Sequence, residues 1–357
     1  MSGLSPKLLG EVFSDARPAE DPVLFGYADL NPKGQFEARS FQSFNLSYVA
    51  GRYGLDDTGS IRVVFRFTAD GGPLQMTDPK ALNYVTAKSS NDVPLRLRFD
   101  ANGHQRPWYQ ALTVTVSKGY MREGDRIEVV IGDRSQGSPG FRLQSFCESA
   151  FAFKVLADVC ATGHYLPIAD SPTINIVPGP PAVWKAILPS LRRPGDPFRL
   201  GIKAEDRYGN PSDRVAEDLK LASSLPVRNL PRDLRFEKGR RSVILEELFC
   251  EAEGEVRISV SDGAGKPLCE TNPLLICEGE LASYWGDMHG QSGESVGINT
   301  ARQYFEFARD LAFLDATSHQ ANDFQINNAF WEHVNELTAE FHEDGRFLTL
   351  PGYEWSG

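Results

Sequence analysis

From Phe36 to about Val177 the chain alternates apolar and polar positions with a period of two. Ile61, Val63, Phe65 and Phe67 fall on one side of such a run, and Arg62, Val64, Arg66 and Thr68 on the other. Leu95-Leu97-Phe99, Leu112-Val114-Val116 and Ile127-Val129-Ile131 repeat the pattern, with turn-forming Asp70-Gly71-Gly72 and Lys118-Gly119 between runs. Side chains two apart on a strand share a face, so this alternation predicts short antiparallel strands around one core, an antiparallel β-sandwich over residues 36–177. Residues 1–35 lack the pattern, are punctuated by proline and are expected to form an N-terminal arm. Val177-Pro178-Gly179-Pro180-Pro181 is a stiff joint. Beyond it the alternation resumes at Phe198-Leu200-Ile202 and Val256-Ile258-Val260, with turn chemistry at Asp206–Pro211 and Ser261–Lys266. Residues 182–280 therefore read as a second, immunoglobulin-like sandwich.

At about Leu281 the period changes. Thr300-x-x-Gln303 has the form of a helix capping box. Tyr304, Phe307, Ala308 and Leu311 then follow at helical spacing, as do Phe330, Val334, Leu337 and Phe341. Short apolar runs, Leu311–Thr317 and Phe347–Leu350, separate or follow these helices. Strand, helix, strand, helix, strand is the order of a parallel α/β unit. The fold class expected for the whole chain is thus multidomain β plus α/β: two antiparallel sandwiches followed, over 281–357, by the first part of a (βα) barrel.

A length of 357 residues suits two to three domains. The net charge of −11 argues against a surface that tracks nucleic-acid phosphates or an anionic membrane. The one locally basic stretch, Arg228–Arg241, reads as a solvated loop or hairpin. No apolar run is long enough to span a bilayer, and the first ten residues have no apolar leader core. Five scattered cysteines, Cys147, Cys160, Cys250, Cys269 and Cys277, form no CxxC pair, which favours reduced thiols and a cytoplasmic setting.

The chemistry concentrates where the α/β pattern begins. Asp287, His289 and Gln291 project together from one strand end, Asp315, Thr317 and His319 from a second, and Gly352, Glu354 and Ser356 from a third. Imidazole, carboxylate and amide oxygen together suit Zn, Mn or Fe better than Ca or Mg. The metal set expected is His289, His319, Glu354, Asp287 and Gln291, with Asp287 and His319 as candidate catalytic groups. His333 falls on an apolar helical stripe and is expected to be a partly buried histidine rather than a ligand. Trp108 and Tyr109 are read as core or interface aromatics ahead of a sugar-stacking platform.

Asp287-Met-His289-Gly-Gln291-Ser292 resembles the D-x-H-x-H-S/T opening motif of the PHP (polymerase and histidinol phosphatase) metal hydrolases. Leu314-Asp-Ala-Thr-Ser-His319 resembles their second motif, ending T-D-H, and Gly352-Tyr-Glu354 their third. Upstream, Arg106-Pro-Trp108, Gly132-Asp-Arg134 with Gly137 and Pro139-Gly140, and the Tyr-Gly-Asn-Pro turn look like a bacterial PHP-like family whose members carry β-sandwich regions before the barrel. The resemblance implies that His289, His319 and Glu354 hold divalent metal. It also implies that Asp287 is a ligand or orients His289, and that a small-molecule ester or amide, a phosphoester first, is hydrolysed by metal-activated water. Two positions depart from it. Gln291 replaces a histidine, giving a weaker, neutral donor, and Ser318 replaces the aspartate before the second-motif histidine. Residues 281–357 amount to two or three βα units, so this chain is expected to be the N-terminal portion of a longer hydrolase and inactive by itself. The competing expectation is a non-catalytic scaffold whose sandwiches bind a partner and whose barrel fragment is vestigial.

Overall fold

The structure is a computed structural model and describes residues 21–355. Expectations that fall on residues 1–20 of the arm, or on Ser356, lie outside the described residues. The chain divides into two compact units at Val177/Pro178, within the Pro-rich joint; Ser295–Gly297 is grouped with the first.

The first unit is mostly antiparallel β. One sheet runs, in spatial order, Tyr27–Asn31, Phe44–Val49, Arg126–Ile131, Val85–Ser89. A second runs Leu166–Pro167, Lys154–Asp158, Ser60–Phe65, Gln110–Val116, Leu95–Asp100. Alternation decides what is buried. Phe44, Leu46, Tyr48, Ile127, Val129 and Ile131 from the first sheet share one core with Ile61, Val63, Phe65, Leu112, Val114 and Val116 from the second. This layering accords with the sandwich expected. At its centre the Phe153 ring meets Phe44, Phe65, Phe141 and Phe151, mostly edge to face. One feature differs from the sequence reading. Residues 21–35 are not a draped arm: Tyr27–Asn31 pairs with Phe44–Val49, and Gln35–Glu37 pairs in parallel with Thr173–Val177. Trp108 is 7% exposed, packed with Val64, Ala111 and Leu156 and flanked by the Arg66 and Lys154 cations, so it is a core aromatic and offers no open stacking face, whereas Tyr109 is half-buried beside Phe67.

The second unit also begins as antiparallel β. Val183–Ile187, Phe198–Glu205 and Val243–Leu248 form one sheet, and Asp233–Phe236, Glu217–Ser223, Ile258–Asp262 and Pro267–Glu270 another. They enclose a core of Phe198, Leu200, Ile202, Leu219, Leu221, Phe236, Val256, Ile258 and Val260. The basic stretch supplies the edge strand Asp233–Phe236, where Arg235 pairs with Asp218 at 2.7 Å.

Residues 281–294 and 298–355 belong to this same unit. They form a three-stranded parallel sheet in the order Gly286–Gly290, Ala316–His319, Leu348–Leu350. Between the strands run an α-helix, Ala301–Glu306, continued by the π-helical turn Phe307–Leu311, and a longer helix, Asn328–Phe341. The Thr300/Gln303 capping box forms as the sequence predicts, but the π-turn breaks the expected stripe. Phe305, Ala308 and Leu311 are buried, whereas Phe307 is 47% exposed. In the longer helix Val334, Leu337 and Phe341 are buried as expected, but His333 points to solvent.

The sheet is joined to the antiparallel strands by charge and by shape. Arg199 pairs with Asp315 at 2.8 Å and donates to the Leu314 carbonyl at 2.6 Å. Lys203 donates to the Leu311 carbonyl, and Arg346 pairs with Glu246 at 2.6 Å. The Phe313 ring lies so close to Gly201 that a Cβ there would overlap it. None of the described helices is long and apolar enough to cross a membrane. All five cysteines are free thiols.

Candidate functional site

The parallel register delivers His289 and His319 to the C-terminal ends of the first two strands, and Glu354 follows the third. Gly286 pairs with Ala316 and Asp287 with Thr317; a bulge then lets Gly290 face His319. That bulge depends on glycine, since a Cβ at Gly290 would enter the Tyr304 ring. Tyr304 is anchored by hydrogen bonding between its hydroxyl and that of Thr317, and Thr317 donates to the Asp287 carbonyl at 2.8 Å. Burial pushes the Tyr304 hydroxyl up to about 12; the Thr317 bond works in the opposite direction.

Beyond the third strand, Glu354 forms a parallel bridge with Asn322, and its amide donates to the Ala321 carbonyl at 2.8 Å. This brings its carboxylate, on the segment beyond the third strand, to 3.6 Å from His289 Nε2 near the end of the first. Gln291 completes the group: its amide nitrogen donates to Glu354 Oε2 at 3.1 Å and also to the Gln320 carbonyl. His289 is mostly exposed and the Glu354 side chain about one-third exposed, so the pair opens to solvent. Asp287 faces solvent as well, and its carboxylate accepts from the His289 backbone N–H at 2.9 Å, which fixes the bulge.

His319 has a different setting. It is 1% exposed, lies edge to face with both Tyr304 and Phe330, and is hydrogen-bonded through Nε2 to Ser292 Oγ at 2.8 Å. Its Nδ1 is buried with no hydrogen-bond partner among the described residues, as are Asn322 Oδ1 and Gln325 Oε1 a few residues on. Burial pushes the His319 imidazole down to about 4, against a weaker upward pull from Glu294. Asp315, expected to share the face of His319, sits before the strand begins; it takes the Arg199 ion pair and the Trp285 N–H. Ser318 is buried and accepts from the Gln320 amide at 2.6 Å, beneath Gly352, whose missing Cβ leaves room for that amide.

Of the five residues expected to ligate metal, three thus form one group: His289, Glu354 and Gln291. Asp287 braces their backbone, and His319 is turned to Ser292. The His289–Glu354 separation suits two ligands of one cation, since bonds of about 2.0–2.2 Å place neighbouring donors roughly 3 Å apart. Bonded as it is, His319 Nε2 does not fit as a third ligand, although the unpartnered Nδ1 remains a donor. Among the described residues no three His, Cys, Asp or Glu side chains gather as a ligand set. Ser292, Gln320 and Tyr304 are parts of this region that sequence reasoning did not assign. Ser292 stands in the first motif, but no spacing signal tells a motif serine that holds a histidine from one that meets solvent.

No family model matches the chain. It is 25% identical over 253 residues to an uncharacterized protein of Chlamydia pneumoniae, covering 66% of this chain and 39% of that protein. An uncharacterized protein of Chlamydia trachomatis serovar D is 25% identical over 313 residues, covering 82% and 48%. The chain therefore spans less than half the length of the curated relatives it matches. Among solved structures, the Yersinia pseudotuberculosis adhesin InvE aligns at TM-score 0.20 and 9% identity over 70% of this chain and 58% of that one. A β-glycosidase from Bacteroides vulgatus aligns at 0.25 and 12% over 70% and 24%. Scores this low carry no argument about fold or function.

Proposed function

We propose that the strand ends of residues 286–355 belong to a metal-dependent hydrolase, with His289 and Glu354 as ligands of one divalent cation, Zn, Mn or Fe, and Gln291 orienting the glutamate. The observation that carries this reading is the 3.6 Å approach of His289 Nε2, near the end of the first strand, to Glu354 Oε2, on the segment that follows the third. A bound cation would supply Lewis acidity and a water ionised near neutral pH. The chain's own part is positional. The Gln291 amide holds Glu354 Oε2, Asp287 fixes the bulge that presents His289, and the glycine at 290 admits the tyrosine that braces the sheet from beneath. A small ester or amide is the substrate class, phosphoester first; that order rests on the resemblance of the motifs.

The winding of the sheet supports the barrel reading. Thr317 and Thr349 are register partners, so their side chains share a face. Tyr304 of the first crossover contacts Thr317, and the Thr338 carbonyl of the second accepts from Thr349. Both crossovers therefore lie on one face, as in a barrel, whereas a doubly wound sheet places them on both. The other face leaves Met288, Leu348 and Leu350 at 40–47% exposure, although parallel strands are ordinarily covered on both sides. Closing such a sheet takes further strands, and the matched relatives have the length to hold them.

A second reading, a non-catalytic scaffold, draws support from the burial of His319 and its bond to Ser292. Metal analysis of protein purified without chelator decides between the two. The hydrolase reading expects close to one transition metal per chain, lost in His289→Ala and in Glu354→Ala. Metal-free protein, or retention unchanged in both variants, would overturn it.

A further inference from the structure

A cavity in the second unit lies at the end of the parallel sheet opposite the His289–Glu354 pair, where Trp285 and Leu314-Asp315 lead into their strands. It has a volume of about 620 Å³, within the range of about 300–1,000 Å³ usual for small-molecule sites. Its walls include Leu188, Ile244, Leu275, Trp285 and Phe313, with Gly201 at the base.

Three features mark it as built rather than a residual crevice. Phe313 holds φ +59°, a left-handed conformation that a bulky aromatic residue adopts only under constraint. It follows a π-turn, a device frequent at functional sites. The strained segment is also clamped: Arg199 donates to the Phe313 and Leu314 carbonyls, and Lys203 to that of Leu311. Gly201 is the matching half of the device, because any side chain there would expel the Phe313 ring.

The chemistry of the walls selects the ligand. Most of the polar groups around the cavity already have partners. Ser190 Oγ accepts from Trp285 Nε1 at 3.1 Å, and the Asn272 amide holds both backbone groups of Leu188. Arg199 and Asp315 neutralise each other, and the Glu255 carboxylate is paired with Arg257 at 2.5 Å. An ion entering this space would lose water and find no unengaged counter-charge. Yet Trp285 and Leu275 stand about half exposed at the mouth, apolar surface that a ligand would cover.

We infer that this cavity binds a small, uncharged molecule with a flat aromatic body, held between the Trp285 and Phe313 side of the pocket and the aliphatic wall of Leu188, Ile244 and Leu275. The site is separate from the His289–Glu354 pair and does not depend on the hydrolase reading. The test is fluorescence titration of the 357-residue chain with N-phenyl-1-naphthylamine, an uncharged aromatic probe. Saturable one-site binding with blue-shifted emission is expected, unchanged in His289→Ala. Ile244→Trp, which fills the cavity, should weaken it at least tenfold. Leu275→Ser, at an exposed rim position that leaves the fold intact, should weaken it about three- to tenfold. Non-saturable binding, no binding, or binding by Ile244→Trp and Leu275→Ser as tight as that of the native chain overturns the inference. So does a concentration-dependent dimer that excludes the probe and dissociates in Leu275→Ser, since the groove would then hold a second copy.

Discussion

Strands Arg126–Ile131 and Gly286–Gly290 are similar in length, yet the chain uses them in opposite ways. In the first, Ile127, Val129 and Ile131 are fully buried and their neighbours less so, because the strand has paired neighbours on both sides and a second sheet above it. In the second, four successive residues are exposed and only Gly290 is buried. Antiparallel strands in a completed layer convert sequence alternation directly into burial. A parallel strand at the open side of a three-stranded sheet leaves its polar groups at the surface and its structure dependent on a few braces. Stability is therefore expected to reside in the antiparallel cores and candidate chemistry in the parallel sheet.

The largest expected effect tests the first half of that contrast. Phe153→Ala removes a ring fully enclosed by four others and should cost roughly 3–5 kcal/mol in urea unfolding of the first unit. Leu350→Ala, in the parallel sheet at 40% exposure, should cost less than about 1 kcal/mol. Comparable losses at the two positions would erase the distinction.

Next comes the pH dependence of His319. Its folded pKa of about 4 lies below the ordinary 6.5, so the unfolded chain binds the proton more readily. The stability it contributes is present above about pH 6.5 and is lost as the pH falls toward 4, by roughly 3 kcal/mol at most. Denaturant midpoints measured from pH 7 to 4 should fall more steeply for the native chain than for His319→Gln. Parallel slopes would show that the imidazole is not sealed.

Gly290→Ala should cost about 1–3 kcal/mol by thermal or chemical unfolding, because Tyr304 must leave the space beneath the bulge. Tyr304→Phe preserves the ring and should be milder. The smallest effect belongs to His289→Ala. With its side chain 71% exposed, it should change the stability of chelator-treated protein by less than about 0.5 kcal/mol, and in untreated protein it should remove bound metal together with the stability that binding adds. A large loss of stability there would move His289 from the chemical to the structural side of the comparison.

The same contrast explains what was legible in the sequence. Alternation identified the core strands of both antiparallel regions because burial there follows the pleat. The capping box at Thr300 and Gln303 was legible because its partners are three residues apart. The π-turn at Phe307–Leu311 was not, since an added residue in a helical turn leaves no mark on the apolar spacing. In the candidate site, residues two apart on a strand were expected to act together, which joined His289 to Gln291 correctly in space. The same rule grouped Asp315 with His319, but Asp315 precedes the strand and answers Arg199, a partner 116 positions away. The bond of His319 to Ser292 depends on the bulge, which no local pattern announces.

The third parallel strand, Leu348–Leu350, ends its sheet, so one side of its backbone has no ladder partner in that sheet among the described residues. Two half-exposed leucines flank that rim. Such a margin is a template for recruitment of other extended chains. Concentrated preparations of this polypeptide should accordingly self-associate into thioflavin-positive material sooner than a variant carrying lysine in place of Leu350, so purification yield itself reports on the openness of this boundary.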